Sequence, residues 1–465
     1  MMKKTKKYLF PILMVILIAI VVFFLYPSVW FKDNDFFEKD QQYSARSLIS
    51  FCIGDVTLES EYLDTREVGD NVIIYHVEKG IFHRDIPFRY EVKDTTPPVI
   101  TIKDELIEKQ AGDLCSLQEM IQNVSLNEGS FVLEDDYDPD YPGTYTVQVL
   151  AEDIYHNTSR SSFIIQVVDT EEPFVMRTGS QIKILLGSDF NIMNYLSYGD
   201  NVDGSPKLEI EGEVDTSQLG TYPLHASLSD FSGNVQQWDI SVEVIDSFTQ
   251  QESEEYRYPF ERFIDEYAGE NREFGIDVSS WQNQIDFQKV KDAGCDFVII
   301  RLGWCFEGEL HIDKYFHDNL QAAKEAGIKT GAYLFCYEYS KDDLSGSLQQ
   351  VFAELENIEL ELPLIFDWEN FQNYQEYEIS FLKLNRLYDL FEEETILHGY
   401  QSMLYGSKFY LETIWKQTDI RPIWLAQYND WPTYTGPYKI WQLCDFGEIE
   451  GIDGPVDFNI LFTDR

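Results

Sequence analysis

Basic residues are scarce: 35 Lys and Arg stand against 82 Asp and Glu, a formal charge of -47 over 465 residues. A nucleic-acid partner needs a surplus of Lys and Arg to neutralise phosphates, so that class is excluded. Spread along the whole chain, the acidity describes a solvated surface that repels anionic polymers. Paired cysteines are missing too. Cys52, Cys115, Cys295, Cys305, Cys336 and Cys444 show neither C-x2-C spacing nor the density of a small disulfide framework. Buried free thiols are the expected state, with a Cys305–Cys336 pairing left open by the spacing. The seven His are scattered without an H-E-x-x-H pair, so a metal is not indicated.

One long uncharged apolar run is present, from Tyr8 to Tyr26, preceded by Lys3, Lys4, Lys6 and Lys7 and closed by Pro27. Its length predicts a helix that crosses a bilayer. No small-x-small cleavage site follows Tyr26, so an uncleaved anchor is expected rather than a signal peptide. The basic flank would stay cytoplasmic and everything beyond Trp30 would lie outside. The expectation is a single-pass cell-membrane protein, with the membrane as a partner through residues 1–30.

The middle of the chain repeats itself. Val92-Lys-Asp-Thr-Thr-Pro-Pro98 returns as Val168-Asp-Thr-Glu-Glu-Pro173, and Val244-Ile-Asp246 marks a third boundary. Gly143-Thr-Tyr145 matches Gly220-Thr-Tyr222, Asp153 matches Asp230, and Asn157 matches Asn234, each 77 apart. Short alternating stretches such as Tyr145-Thr-Val-Gln-Val149, broken by Asp, Gly and Pro, predict all-β sandwich modules. The units resemble bacterial immunoglobulin-like surface repeats. Boundaries are expected at 31–94 (a shorter cousin), 95–169, 170–247 and a polar linker, 248–271. Asp153, Asp230 and Glu134-Asp135-Asp136 are read as loop acids facing water, since a Ca2+ site needs six to eight convergent oxygens.

From residue 272 the pattern changes. Apolar runs at 274–279, 297–301, 330–335, 363–369, 396–400, 423–428, 439–443 and 455–458 alternate, in the first half, with segments of helical period. Together with the anchor and the repeats, this predicts a multidomain chain ending in a β/α, TIM-like barrel over 272–465. The run Leu362-Pro-Leu-Ile-Phe-Asp-Trp-Glu-Asn370 ends in two carboxylates one residue apart. Alternation along a strand points Asp367 and Glu369 the same way at the end where a barrel keeps its active site. Crowded carboxylates cannot all ionise, which leaves an acid beside an anion, the pairing that glycosidic cleavage needs. Asp277 and Asp457 sit at other strand ends and open onto the same mouth. Tyr333, Tyr337, Tyr400, Trp424, Tyr428 and Trp441 are expected around it, where aromatic faces suit a carbohydrate.

Asp277-Val-Ser-Ser-Trp-Gln282, Phe297-Val-Ile-Ile-Arg-Leu-Gly303, Gly331-Ala-Tyr333, Asp367-Trp-Glu369, Trp424-Leu-Ala-Gln-Tyr428, Trp441-Gln442 and Asp457-Phe-Asn459 occur in this order. They resemble the glycoside hydrolase family 25 muramidases. The resemblance implies that Glu369 is the general acid and that Asp367 stabilises the cationic centre or positions the substrate acetamido group. Asp277 and Asp457 complete the acidic mouth, and Gln427 and Gln442 join the aromatics as substrate contacts. It implies cleavage of the β-1,4 bond between N-acetylmuramic acid and N-acetylglucosamine, with peptidoglycan glycan strands as partner and no cofactor needed. The alternative is a non-catalytic glycan-binding or surface scaffold protein, which the four intact acids oppose.

Overall fold

The computed structural model describes residues 6–177, 181–248, 256–369, 374–416 and 421–464. It divides into two compact units: 1–108 with 115–137 and 144–166, and 109–114 and 138–143 with 167–465.

In the first unit the apolar run forms the helix Lys6–Leu25, with Pro11 inside it. Among the described residues no helix is long and apolar enough to cross a membrane. Beyond Pro11, which removes a backbone donor, only about fourteen residues remain, roughly 21 Å against a hydrocarbon core of ~30 Å. The transmembrane anchor, the membrane partner and the cell-membrane localisation expected from the sequence are therefore corrected.

Downstream, the strands alternate as their sequence does. A four-stranded sheet runs Phe37–Glu38, Phe82–Lys93, Gly69–Lys79, Asp55–Leu58, and a second runs Ser130–Glu134, Gly143–Glu152, Thr158–Val168, Leu106–Gln110. In the second unit the same plan recurs as Gln181–Leu185, Val235–Ile245, Gly220–Ser229, Lys207–Glu211, with Phe174–Arg177 paired to Ser197–Gly199. Val147, Val149 and Ala151 in one module, and Leu224, Ala226 and Leu228 in the other, are buried at every second position. That is the period of a sheet with one face on a core.

The C-terminal region builds eight strands into a closed barrel: β1 (Arg272–Val278), β2 (Phe297–Phe306), β3 (Lys329–Cys336), β4 (Leu364–Asp367), β5 (Ser402–Ser407), β6 (Ile423–Ala426), β7 (Ile440–Glu448) and β8 (Val456–Phe462). Helices α1 (Phe287–Asp292), α2 (Phe316–Glu325), α3 (Lys341–Glu354), α4 (Phe381–Leu397) and α5 (Lys408–Thr413) cross over between the first six strands. The first seven strands pair in parallel, but β8 runs antiparallel to both β1 and β7. The expected TIM-like barrel is thus corrected. The loop between β7 and β8, residues 449–455, is too short for the crossover connection that parallel strands need, so a hairpin closes the ring.

The fifth run was also misplaced. Residues 396–397 belong to α4, His398 caps it, and Gly399 turns the chain out at φ +87 before β5 begins at Ser402. Glycine just past a helix end is the expected stop.

Strand parity sorts the barrel into an inside and an outside. Phe297, Ile299, Ile365, Met403, Tyr405, Trp424, Ala426, Ile440 and Leu461 form the interior cluster, with Tyr333 packed against it. Their neighbours, such as Val298, Ile300, Phe366, Leu404, Leu425 and Trp441, form the larger cluster facing the helices. Each strand's inward row therefore continues upward into whatever side chain stands at its mouth end.

Candidate active site

At the mouth those inward rows end in polar groups. On β1 the row reaches Asp277, on β4 Asp367, on β7 Gln442, and on β8, which enters from the mouth, it begins with Asp457 and Asn459. Asp277 and Asp457 are register partners. Asp277 is buried, and its Oδ2 accepts Gln442 Nε2 at 3.0 Å and Asn459 Nδ2 at 2.7 Å. Burial pushes its pKa up to about 6, and the two amide bonds oppose the rise.

Further bonds fit this orientation of the two amides. Gln442 Oε1 accepts the hydroxyls of Tyr405 at 3.1 Å and Tyr428 at 3.0 Å, and Asn459 Oδ1 accepts Trp424 Nε1 at 2.7 Å. Each amide oxygen is thereby fixed on a donor, which leaves each nitrogen for Asp277. The aromatic residues hold the carboxylate in place through the two amides.

Asp367 ends β4, is 5% exposed, and leaves Oδ1 buried without a hydrogen-bond donor. Its pKa is driven well above the ordinary carboxylate range by burial, then by Glu369 and Asp277, with Arg301 opposing. Trp368 turns the other way, buried, with Nε1 donating to Glu338 O at 3.1 Å. Glu369 lies past the strand end and is exposed at the mouth. Protein atoms nevertheless crowd its carboxyl: lost solvation, then Asp277, push it up to about 7. Asp457, half-buried, is raised to about 9 by burial, Asp277 and Asp445. Four carboxyls share fewer than four charges.

Of the aromatics expected around the mouth, Tyr333 packs against Trp424 (centroids 6.1 Å) and feels the charges of Asp277, Asp367 and Asp457. Tyr337 feels Asp367 and Glu369. Tyr428 is exposed above Gln442. Three expected residues lie elsewhere. The Tyr400 hydroxyl donates to the Leu355 and Ile358 carbonyls, below β5 and away from the acids. Trp441 faces the helix layer, with Nε1 on Gln427 O and its ring on Trp431. The Gln427 side chain is consumed by Thr433 and Tyr434, tying its own loop.

Three residues were not singled out from the sequence. Tyr405 takes the place expected for Tyr400, edge-on to Trp424 at 4.7 Å. Asn459 stands two residues from Asp457 on the same face, a signal the D-x-N spacing carried. Arg301 stands on the inward row of β2, bonded through Nε and Nη2 to Asp313 Oδ2 at 2.9 and 2.7 Å. It is the cation that lowers Asp367.

Residues 276–452 match the model of the glycosyl hydrolases family 25, and residues 174–244 match a bacterial surface protein, Ig-like domain. The uncharacterized protein YegX of Escherichia coli K12 is 32% identical over 199 residues, covering 40% of this chain and 68% of that protein. The chain belongs to glycosyl hydrolase family 25. It is a glycoside hydrolase of the lysozyme type. An autolytic lysozyme of Clostridium acetobutylicum is 26% identical over 187 residues, covering 40% of this chain and 54% of that one. The modular autolysin LytC from Streptococcus pneumoniae, solved in complex with a synthetic peptidoglycan ligand, is 23% identical with a TM-score of 0.38, covering 51% of this chain and 56% of that one. In family 25 terms, the matched segment holds Asp277, Asp367 and Glu369, while Asp457 and Asn459 lie just beyond its end.

Proposed function

We propose that the barrel cleaves peptidoglycan glycan strands at the β-1,4 bond between N-acetylmuramic acid and N-acetylglucosamine, with Glu369 as the general acid. One observation carries the assignment: of the two carboxyls at the end of β4, Glu369 is exposed and Asp367 is buried. The acid must touch the leaving oxygen, so it is the reachable one. Asp367, behind it, stabilises the cationic centre or orients the acetamido group. Asp277 and Asp457 set the charge of the mouth. Exposed Trp281, Trp304 and Tyr339 offer ring faces for sugars on the same side. The β modules, partitioned at 31–94, 95–169 and 170–247, act as spacers in this reading.

Digestion of purified peptidoglycan by the full chain tests the bond assignment. After borohydride reduction, the new ends are expected to be muramitol. Glucosaminitol ends would overturn the assignment, and glycan retention without new ends would favour the binding-module reading.

The acids also set a pH window. Glu369 must hold its proton, so activity falls as pH rises through about 7. The mouth must also carry negative charge, which Asp277 supplies above about 6. A narrow bell between these values is expected in kcat/KM, with limbs that belong to the coupled set rather than to single residues. Undiminished activity at pH 9 would remove Glu369 from the role.

A further inference from the structure

Away from the barrel mouth, Asp169, Asp200 and Asp230 each offer an oxygen within 4.8 Å of the others. Asp169 follows the strand Thr158–Val168, Asp200 follows Ser197–Gly199, and Asp230 follows Gly220–Ser229. They are 8%, 0% and 8% exposed. The charges acting on Asp200 are those of the other two acids; with burial, the larger cause, they lift it to about 6.

Neutral donors hold part of each carboxylate. Asp200 Oδ1 accepts the N–H groups of Val202 and Asp203, and Asp169 Oδ1 accepts Asn201 Nδ2 at 3.1 Å. Asp230 accepts the N–H groups of Gly233 and Asn234 and the Asn234 amide. Left over are Oδ2 of Asp169, Oδ2 of Asp200 and Oδ1 of Asn201, all buried and without a hydrogen-bond partner. Orphaned buried oxygens are destabilising, more so when charged, unless something binds them.

The preceding module shows the same frame closed differently. There Asn157 Nδ2 donates to Asp153 Oδ2 and Asp94 O, as Asn234 Nδ2 donates to Asp230 Oδ2 and Asp169 O. The residue after its short strand Val124–Leu126 is Asn127, whose Oδ1 accepts Val99 N–H. Lys39 Nζ pairs with Asp94 at 3.1 Å. One module neutralises the position with a lysine and an amide; the other leaves three acids and three unsatisfied oxygens.

We propose that Asp169, Asp200 and Asp230, with Asn201 Oδ1, bind a divalent cation of the Ca2+ class. Hard oxygen donors in a mixed carboxylate–amide set suit that ion, and two oxygens across an ion at ~2.4 Å lie up to ~4.8 Å apart. The same loop meets the barrel through its backbone: Phe381 N donates to Asp200 O at 2.9 Å and Leu382 N to Asn201 O at 3.0 Å. The ion therefore ties the entry to the second module and its loop to the start of α4.

Melting of the full chain tests this without any glycan assay. After EGTA treatment, 1 mM Ca2+ is expected to raise the transition by several degrees. Asp200→Asn is expected to abolish the shift and, in EGTA, to melt above the wild type, because it removes one of three mutually repelling charges. Asp230→Asn reads the same loss of shift should Asp200→Asn misfold. No shift in the wild type, or an equal shift in a folded Asp200→Asn or Asp230→Asn variant, would overturn the site.

Discussion

Glu369→Gln is expected to lower kcat on peptidoglycan by roughly 10³-fold while leaving KM within a few-fold. The amide fills the same space at the exposed end of β4, so glycan binding survives, but it has no acidic proton for the leaving oxygen. General acid catalysis typically contributes ~10²–10⁴-fold. The leaving group separates this role from that of its neighbour. On an aryl glycoside whose phenolate departs unassisted, Glu369→Gln is expected to recover much of its loss, whereas Asp367→Asn stays impaired on both substrates. A Glu369→Gln enzyme within tenfold of wild type on peptidoglycan would sink the assignment, and equal losses for both variants on both substrates would sink the division of labour.

Two carboxyls at one strand end were legible in the residues themselves, whereas which of them gives up the proton was implied only by the family resemblance. The D-x-E spacing and the apolar run before it placed both carboxyls at a strand end. The sequence could not show that the strand stops at Asp367 and leaves Glu369 to the solvent. Where neighbours on one strand were taken together, side-chain alternation rules the arrangement out. Trp441 and Gln442 are adjacent on β7, so only one can face the mouth. It is Gln442, bonded to Asp277, while Trp441 packs outward. Tyr400 was placed by an apolar run that tertiary packing used as the last turn of α4, and the glycine beyond it was the overlooked signal. The helix at the N-terminus formed where its apolar run lay, but Pro11 and its length kept it from the expected role. The convergence of Asp169, Asp200 and Asp230 was invisible because it joins loops 31 and 30 residues apart that follow strands of three different sheets.

Asp313→Asn is expected to destabilise the barrel by about 3 kcal/mol, lowering its melting transition by roughly 6–12 °C. Asp313 and Arg301 form an ion pair with side chains 1% and 15% exposed, at 2.7 Å. Asp313 Oδ2 also accepts Ser280 N–H, Oδ1 accepts Tyr315 N–H, and Arg301 Nη2 donates to Ser280 Oγ. Against burial, which raises it, those N–H groups and the guanidinium hold the Asp313 pKa below its usual value. The asparagine removes the anion and leaves the guanidinium without its counter-charge in a low-dielectric wall. Replacing both partners, Arg301→Met with Asp313→Leu, should recover part of the loss, because the larger penalty is the stranded charge rather than the missing attraction. The single variant also carries a catalytic signature. With Asp313 neutral, the Arg301 charge acts uncompensated on Asp367 and, through it, on the coupled acids. A nearby positive charge favours ionisation of Asp367, and an anionic Asp367 disfavours ionisation of Glu369, so the alkaline limb of kcat/KM should move to higher pH. A purely structural ion pair would lower the melting temperature and leave that limb where it was. Movement of the limb would place Arg301 among the groups that tune the acid.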